Sequence, residues 1–507
     1  MLAEVMFEIF KSNLPSSWKL SSRKITFPPI LALGALLTTI LPTAFAQSVE
    51  SSEISSLHIS QDGEYIVLNW TPPADSSVSA YTLQTTPRLN DNIWVNALAE
   101  LPLPETQTSW SETNSLNQRF YRLLQVEHAE QGRLEEIISK TPYNKMIIKL
   151  MAQSFLGDID LPIEYDVTLY TVKYETLTPS GSKTLASGIY AIPENCTVPN
   201  AFLSYQHGTI MEKKEAPSQE DTLSQIGCVL AASMGYITTA SDYLGLGSGE
   251  SFHPYCHRGS EATAALDLLR TARNWCIEND QPLPVGNPLY MLGYSQGGHA
   301  TMSLHREIEL WHSDEFQVIA SAPMAGPYDL SGTMMSDFLS EREMPAPYYY
   351  AYLIAGYQQA YQFGNSMADL LAPPYDTQLP PLLDGYHSSA EINALMPSHP
   401  REILKPEILQ AIMEDPEHPI RIALADNDTS VDWTPKGLMR LYHSQSDTYV
   451  PWQNSLTAQR NFRLKGCQVE LIDPAPGLDH GDAALPAIQS ALLWFISLEE
   501  ARQNGLL

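Results

Sequence analysis

Between Leu289 and Trp311 the sequence leaves room for one local structure. Leu289-Tyr290-Met291-Leu292 is an apolar run suited to a buried strand, and Gly293-Tyr294-Ser295-Gln296-Gly297-Gly298 interrupts it. His299, Met302, Leu304 and Ile308 then recur at helical spacing as far as Trp311. The pattern predicts strand, sharp turn and helix in immediate succession. Gly293 and Gly297 flank Ser295 at positions where a Cβ would run into the neighbouring strand and helix. A serine on such a turn is lifted clear of the sheet and presented as a nucleophile.

A serine alcohol is a weak nucleophile near neutral pH, so the turn has chemical meaning only if a base and an orienting carboxylate follow. Asp447 comes shortly after the apolar run Leu438–His443, in Ser446-Asp447-Thr448-Tyr449-Val450-Pro451. A carboxylate at the carboxyl end of a strand beside the turn can accept an imidazole N–H and stabilise the cation formed on proton transfer. His480 stands after the run Cys467–Ile472, in Gly477-Leu478-Asp479-His480-Gly481-Asp482, just ahead of the last helical segment. The order Ser, Asp, His, each after a strand, predicts Ser295, Asp447 and His480 as the catalytic residues. Asp426 and Asp428 are upstream rivals for the acid, and Asp479 and Asp482 read as loop and cap residues. Two backbone N–H groups are expected to form an oxyanion hole: that of Gln296, next after the nucleophile, and that of Thr209 in Gln206-His207-Gly208-Thr209, straight after an earlier strand.

The rest of the chain divides by texture. Arg23-Lys24 precede the apolar run Ile30–Ile40, and Ala44-Phe45-Ala46 sets small residues before Gln47, which predicts a secretory signal over residues 1–46 cleaved near Ala46. A retained membrane anchor is the alternative. Residues 57–126 carry short alternating segments with turn residues between them, which suits a small β-sandwich with Trp70 and Trp94 in its core. Residues 127–164 read as a helical connector. From Tyr165 to about residue 500 an antiparallel hairpin (Val167–Tyr174 returning as Ala186–Ile192) leads into apolar strands alternating with helices. The fold class is therefore α/β: a mostly parallel sheet covered on both faces, preceded by a small all-β sandwich. About 110 residues, at about 327–436, have no sheet rhythm and are expected to form a helical cap. Its tyrosines, among them Tyr348, Tyr350, Tyr357 and Tyr361, are expected to build the cap's own core, with an apolar pocket wall as their other use.

Composition narrows the partners. A net charge of −29 repels nucleic acid and disfavours loose adsorption to anionic lipid. The five cysteines have no Cys-x-x-Cys spacing, which argues against a zinc site or a redox motif, and one or two disulfides are expected after export. A serine, histidine and aspartate set needs neither metal nor organic cofactor.

Residues 165–498 resemble an α/β-hydrolase of the secretory lipase group. The likeness rests on Gly-Tyr-Ser-Gln-Gly-Gly at 293–298, Ser-Asp-Tyr-Leu-Gly-Leu-Gly at 241–247, the His-Gly-Thr loop at 207–209 and the insertion ahead of the acid. The resemblance implies hydrolysis of carboxylic esters, small or lipid, through Ser295, Asp447 and His480, with the insertion as a lid; a lid that opens at a lipid interface would make the activity a lipase, and a fixed cap an esterase. It places Asp242–Gly247 near the active-site mouth, with tying down a glycine-rich loop as the plainer role of Asp242. Residues 57–126 resemble the fibronectin type III-like modules of secreted bacterial enzymes, and such a module could bind polysaccharide through exposed aromatics. A secreted serine peptidase, an acyl-polysaccharide esterase and an inactive binding protein on the same scaffold remain alternatives.

Overall fold

The computed structural model describes residues 129–156 and 161–506 continuously, and strand segments between residues 44 and 126. Of the expected signal segment, residues 1–43 lie outside the described residues.

The N-terminal strands form two small sheets. One joins Ala44–Ser48, Arg119–Val126, Ala80–Thr86 and Val95–Asn96 in that order, with Leu103–Pro104 also on Ala80–Thr86; the other joins Ser56–Asp62, Tyr65–Thr71 and Ser109–Thr113. Trp70 is buried edge-on against Tyr81 at 6.0 Å, and Trp94 is buried under the Arg122 guanidinium at 4.6 Å. Both tryptophans are thus interior residues and form no surface platform. The module touches the rest of the chain: Thr82 Oγ1 donates to Ser180 O at 3.0 Å, and Asn96 Nδ2 donates to Pro179 O at 3.3 Å.

The connector expected over residues 127–164 is helical only in its second half. Leu134–Tyr143 is a strand, β1, followed by helix α1 (Lys145–Leu156). Ile137, Ile138 and Thr141 are β-branched and Pro142 cannot sit inside a helix, so an extended edge strand suits the segment better. Because β1 joins the large sheet, that unit begins upstream of Tyr165, where the sequence reading places its start.

That sheet continues with β2 (Val167–Leu177), β3 (Lys183–Pro193), β4 (Phe202–Gln206), β5 (Ile237–Ser241), β6 (Pro288–Tyr294), β7 (Gln317–Met324), β8 (Leu438–Tyr442) and β9 (Glu470–Ile472). Its spatial order is β9-β8-β7-β6-β4-β5-β3-β2-β1. The pairs from β1 through β3 to β5 are antiparallel, and all from β5 to β9 are parallel. One face is covered by α1, α2 (Thr222–Ser233) and the last helix, α9 (His480–Gln503). The other is covered by α3 (Arg258–Glu278), α4 (Gln296–Trp311) and α8 (Gln453–Leu464). Helix α9 is long and apolar enough to cross a membrane, but Ala487, Ala491, Trp494 and Phe495 pack it into the sheet's core.

Between β7 and β8 the chain leaves the sheet for an insertion built from α5 (Tyr348–Tyr361), α6 (Pro406–Glu414), α7 (Pro419–Asp426) and shorter turns. Tyr348, Tyr350, Tyr352, Tyr357 and Tyr361 are buried in its own apolar cluster. The disulfide expectation fails: all five cysteines are free, and four of them are buried where no second thiol is paired with them.

Candidate active site

Ser295 occupies the single residue between β6 and α4, with φ 61° and ψ −122°. A non-glycine residue in that region is strained and persists only where its surroundings enforce it. Enforcement is visible on both sides. The Ser295 N–H donates to Met324 O at 2.8 Å, and a Cβ on Gly297 would stand 2.1 Å from Gln206 O. A Cβ on Gly293 would stand 2.4 Å from Gly297 O. The glycines let helix α4 press onto β4, and that contact drives the turn up past the sheet edge.

The residues that the sequence singled out come together there. His480 Nε2 lies 2.9 Å from Ser295 Oγ, and His480 Nδ1 lies 2.6 Å from Asp447 Oδ2. His480 is the first residue of α9 rather than a loop residue, and Asp479 caps that helix by accepting the His480 N–H. The imidazole stacks on Tyr449 at 5.5 Å and abuts Tyr294, whose hydroxyl donates to His480 O at 2.7 Å. Ser295 is 9% and His480 7% exposed, so the two side chains are shielded but not sealed.

Asp447 lies in the loop after β8 with its side chain sealed from solvent. Burial by itself would raise its carboxyl, but hydrogen bonds from His443 and His480 outweigh burial and hold it well below the usual carboxylate range. Its other oxygen accepts the N–H groups of Tyr449 and Val450, both at 2.8 Å. The rival acids are engaged elsewhere. Asp426 accepts the Tyr361 hydroxyl, and Asp428 accepts the Ser331 N–H and hydroxyl.

The amide of Gln296 opens helix α4, where first-turn N–H groups have no acceptor within the helix. Its side chain is fixed from below: Nε2 donates to Glu261 Oε1 at 2.8 Å and lies 2.8 Å from His253 Nε2. The loop carrying Thr209 runs alongside, since a Cβ on Gly208 would be 3.9 Å from that of Ser295. Thr209 Oγ1 lies 2.8 Å from the Tyr255 hydroxyl. Asp242 is fully buried and accepts Ser187 Oγ at 2.5 Å and the Ser218 N–H at 2.8 Å, so it ties loops together. Tyr243 next to it donates to His207 O at 3.1 Å and packs on the His207 ring, supporting the Thr209 loop from behind.

Cys256, Glu261 and His299 cluster beneath the turn with metal-ligand atom types. Both Glu261 oxygens bond to protein groups, Gln296 and His299, and the other His299 nitrogen lies 3.1 Å from Asn427 O.

Ser295 opens into a narrow apolar cavity walled by Tyr255, Leu330, Met334, Tyr350, Leu353 and Tyr449 among others. Leu330, Met334, Tyr350 and Leu353 also wall a second narrow apolar cavity inside the insertion. Sequence reasoning missed these aliphatic walls and His443, which contacts Asp447 Oδ2 at 3.1 Å. The spacing of His443 and Asp447 was visible, but nothing in it tells that the loop folds the ring back onto the carboxylate.

No protein-family model matches this chain, and no curated protein matches it. Solved structures do. A candidate hydrolase from Legionella pneumophila aligns at 28% identity over 72% of this chain and 98% of its own, with a TM-score of 0.64. The rice cell wall degrading esterase LipA from Xanthomonas oryzae aligns at 29% identity over 74% and 98%, with a TM-score of 0.60. The fold is that of an α/β-hydrolase. Lipase A from Candida antarctica in its closed state shares the fold at 17% identity over 74% and 83%, TM-score 0.53. In an α/β-hydrolase the serine turn, the loop after β8 and the start of α9 meet at one edge of the sheet, which is where Ser295, Asp447 and His480 stand.

Proposed function

We propose that this chain is a secreted serine hydrolase that cleaves carboxylic esters through an acyl-enzyme on Ser295. The observation that carries the reading is the hydrogen-bonded run Ser295–His480–Asp447 set at the mouth of an apolar cavity. His480 takes the Ser295 proton as the alkoxide attacks the ester carbonyl, and the amides of Gln296 and Thr209 bind the oxyanion. His480 then passes the proton to the leaving alcohol, and water repeats the sequence on the acyl-enzyme. Asp447, held ionised, keeps the ring in the tautomer with its proton on Nδ1 and steadies the imidazolium. The insertion acts as a lid that supplies the walls for the acyl group, and the N-terminal signal sends the protein out of the cell.

A second reading, an esterase on acylated cell-wall polymers, is favoured by the likeness to LipA over 98% of that enzyme. Hydrolysis of p-nitrophenyl esters from acetate to palmitate, beside release of acetate from acetylated xylan, separates the two. Turnover that disappears in Ser295→Ala supports the reading; a wild type that cleaves neither substrate refutes it.

A further inference from the structure

Asp447 Oδ2 is shared by two imidazoles. His480 Nδ1 reaches it from α9 at 2.6 Å, and His443 Nε2 reaches it from the end of β8 at 3.1 Å. The second imidazole is completely buried, packed against Trp452, and its Nδ1 lies 2.7 Å from Ser455 Oγ on α8. The carboxylate therefore stands between two serine–histidine pairs, one facing the cavity and one facing the core.

Geometry fixes the protons of the inner pair. His443 Nε2 is within 3.1 Å of Asp447 Oδ2 and within 3.0 Å of Val450 O, both acceptors, so that nitrogen carries hydrogen. In the neutral ring Nδ1 then accepts the Ser455 hydroxyl. Two N–H groups thus converge on one oxygen, while the other oxygen is held by two backbone amides.

We propose that His443, oriented by Ser455, is a positioning residue that acts through Asp447: it holds Oδ2 toward His480 and takes up part of the carboxylate's charge. This rests on the esterase reading for the chemistry it serves. The titratable groups that face the carboxylate are His443 from β8, His480 and Asp479 at α9, Tyr294 from the turn, and Arg342 and Tyr349 from the insertion. Apart from His480, only His443 among them donates to Oδ2. Without it the carboxylate holds more charge on that oxygen and binds a proton more readily, so the Asp447–His480 couple protonates at higher pH.

The test compares His443→Leu, His443→Gln and Ser455→Ala with wild type in two assays: ester turnover, and the rate at which a fluorophosphonate labels Ser295, each across pH 4.5 to 9. Labelling needs no ester substrate, so a failure of the esterase reading leaves it readable. In His443→Leu, kcat and the labelling rate are expected to fall about ten-fold with KM changed less than about two-fold. The acid limb moves up by about half a pH unit or more. The Gln variant, which keeps a donor, recovers most of the rate, and Ser455→Ala moves both quantities the same way by less. An acid limb that stays in place in His443→Leu, or equal losses in the Leu and Gln variants, overturns the proposal. Should His443→Leu fail to fold, Ser455→Ala decides: an unchanged rate and an unmoved limb overturn it.

Discussion

Asp479 accepts the backbone N–H of Thr448 at 2.8 Å, and the same oxygen accepts the N–H of His480 at 2.8 Å. The loop that carries Asp447 and the helix start that carries His480 are thereby pinned to one carboxylate.

Loss of that pin should cost rate more than stability. Asp479→Ala removes a helix cap worth about 1 kcal/mol, yet frees the two loops to drift from their 2.6 Å contact. A fall in kcat of about ten-fold or more is expected, with Asp479→Asn intermediate, because sub-ångström misplacement of a catalytic group is expensive. Stopped-flow turnover beside thermal melts measures both.

Ser295→Ala should abolish ester turnover, by about 10⁴-fold or more, with the melting temperature close to wild type, since the turn is enforced by Gly293, Gly297 and the Met324 carbonyl rather than by the hydroxyl. Residual activity near the wild-type level would place the chemistry elsewhere.

Gly297→Ala tests the turn directly. Its Cβ would lie 2.1 Å from a backbone oxygen that cannot swing aside. Destabilisation of about 3 kcal/mol or more is expected, read as a lowered denaturant midpoint together with lost fluorophosphonate labelling.

Acid should draw stability from the fold through two buried histidines, and Asp428, whose carboxyl burial raises to about 6, offsets part of that loss by taking up a proton in the folded chain. Burial pushes His253 and His257 down to about 3, against an ordinary histidine value of 6.5. Both are neutral in folded and unfolded chains above that value, so their contribution is fully present there. Below it the unfolded chain takes up protons that the folded chain refuses, and stability falls toward about pH 3. Each contributes a slope approaching about 1.4 kcal/mol per pH unit. Urea melts between pH 7.5 and 4.5 should show the loss, and His257→Asn, which keeps a capping side chain at α3, should make the slope shallower.

Filling the wall shared by the two cavities should change which acyl chains are accepted. Leu353 walls both apolar cavities. Leu353→Trp is expected to leave acetate turnover within about two-fold while cutting palmitate turnover about ten-fold or more. Equal losses on both esters would show that this wall does not hold the acyl chain.

The sheet was largely legible because a continuous apolar strand run gives way to period-3.6 spacing just after Gly293, and because two alternating segments meet at the turn around Gly181. Ser295, Asp447 and His480, which the structure brings into one hydrogen-bonded run, could be singled out from their order after strands, since topology constrains that order more than distance. Strand β1 was not legible: it is an edge strand exposed along most of its length, so burial imposes no alternation on it. His443 was hidden for a different reason. Its importance lies in a bond to Asp447 that only the fold of one loop creates. The cavity walls Leu330, Met334 and Leu353 belong to short helices packed on one another, a geometry that no single periodicity announces.

Ser295, Asp447 and His480 hang from strand ends, whereas Leu330, Met334, Tyr350 and Leu353 hang from an excursion between β7 and β8. The two sets are separately mutable. A laboratory library confined to that excursion would therefore vary the cavity wall while leaving the three strand-end side chains in place.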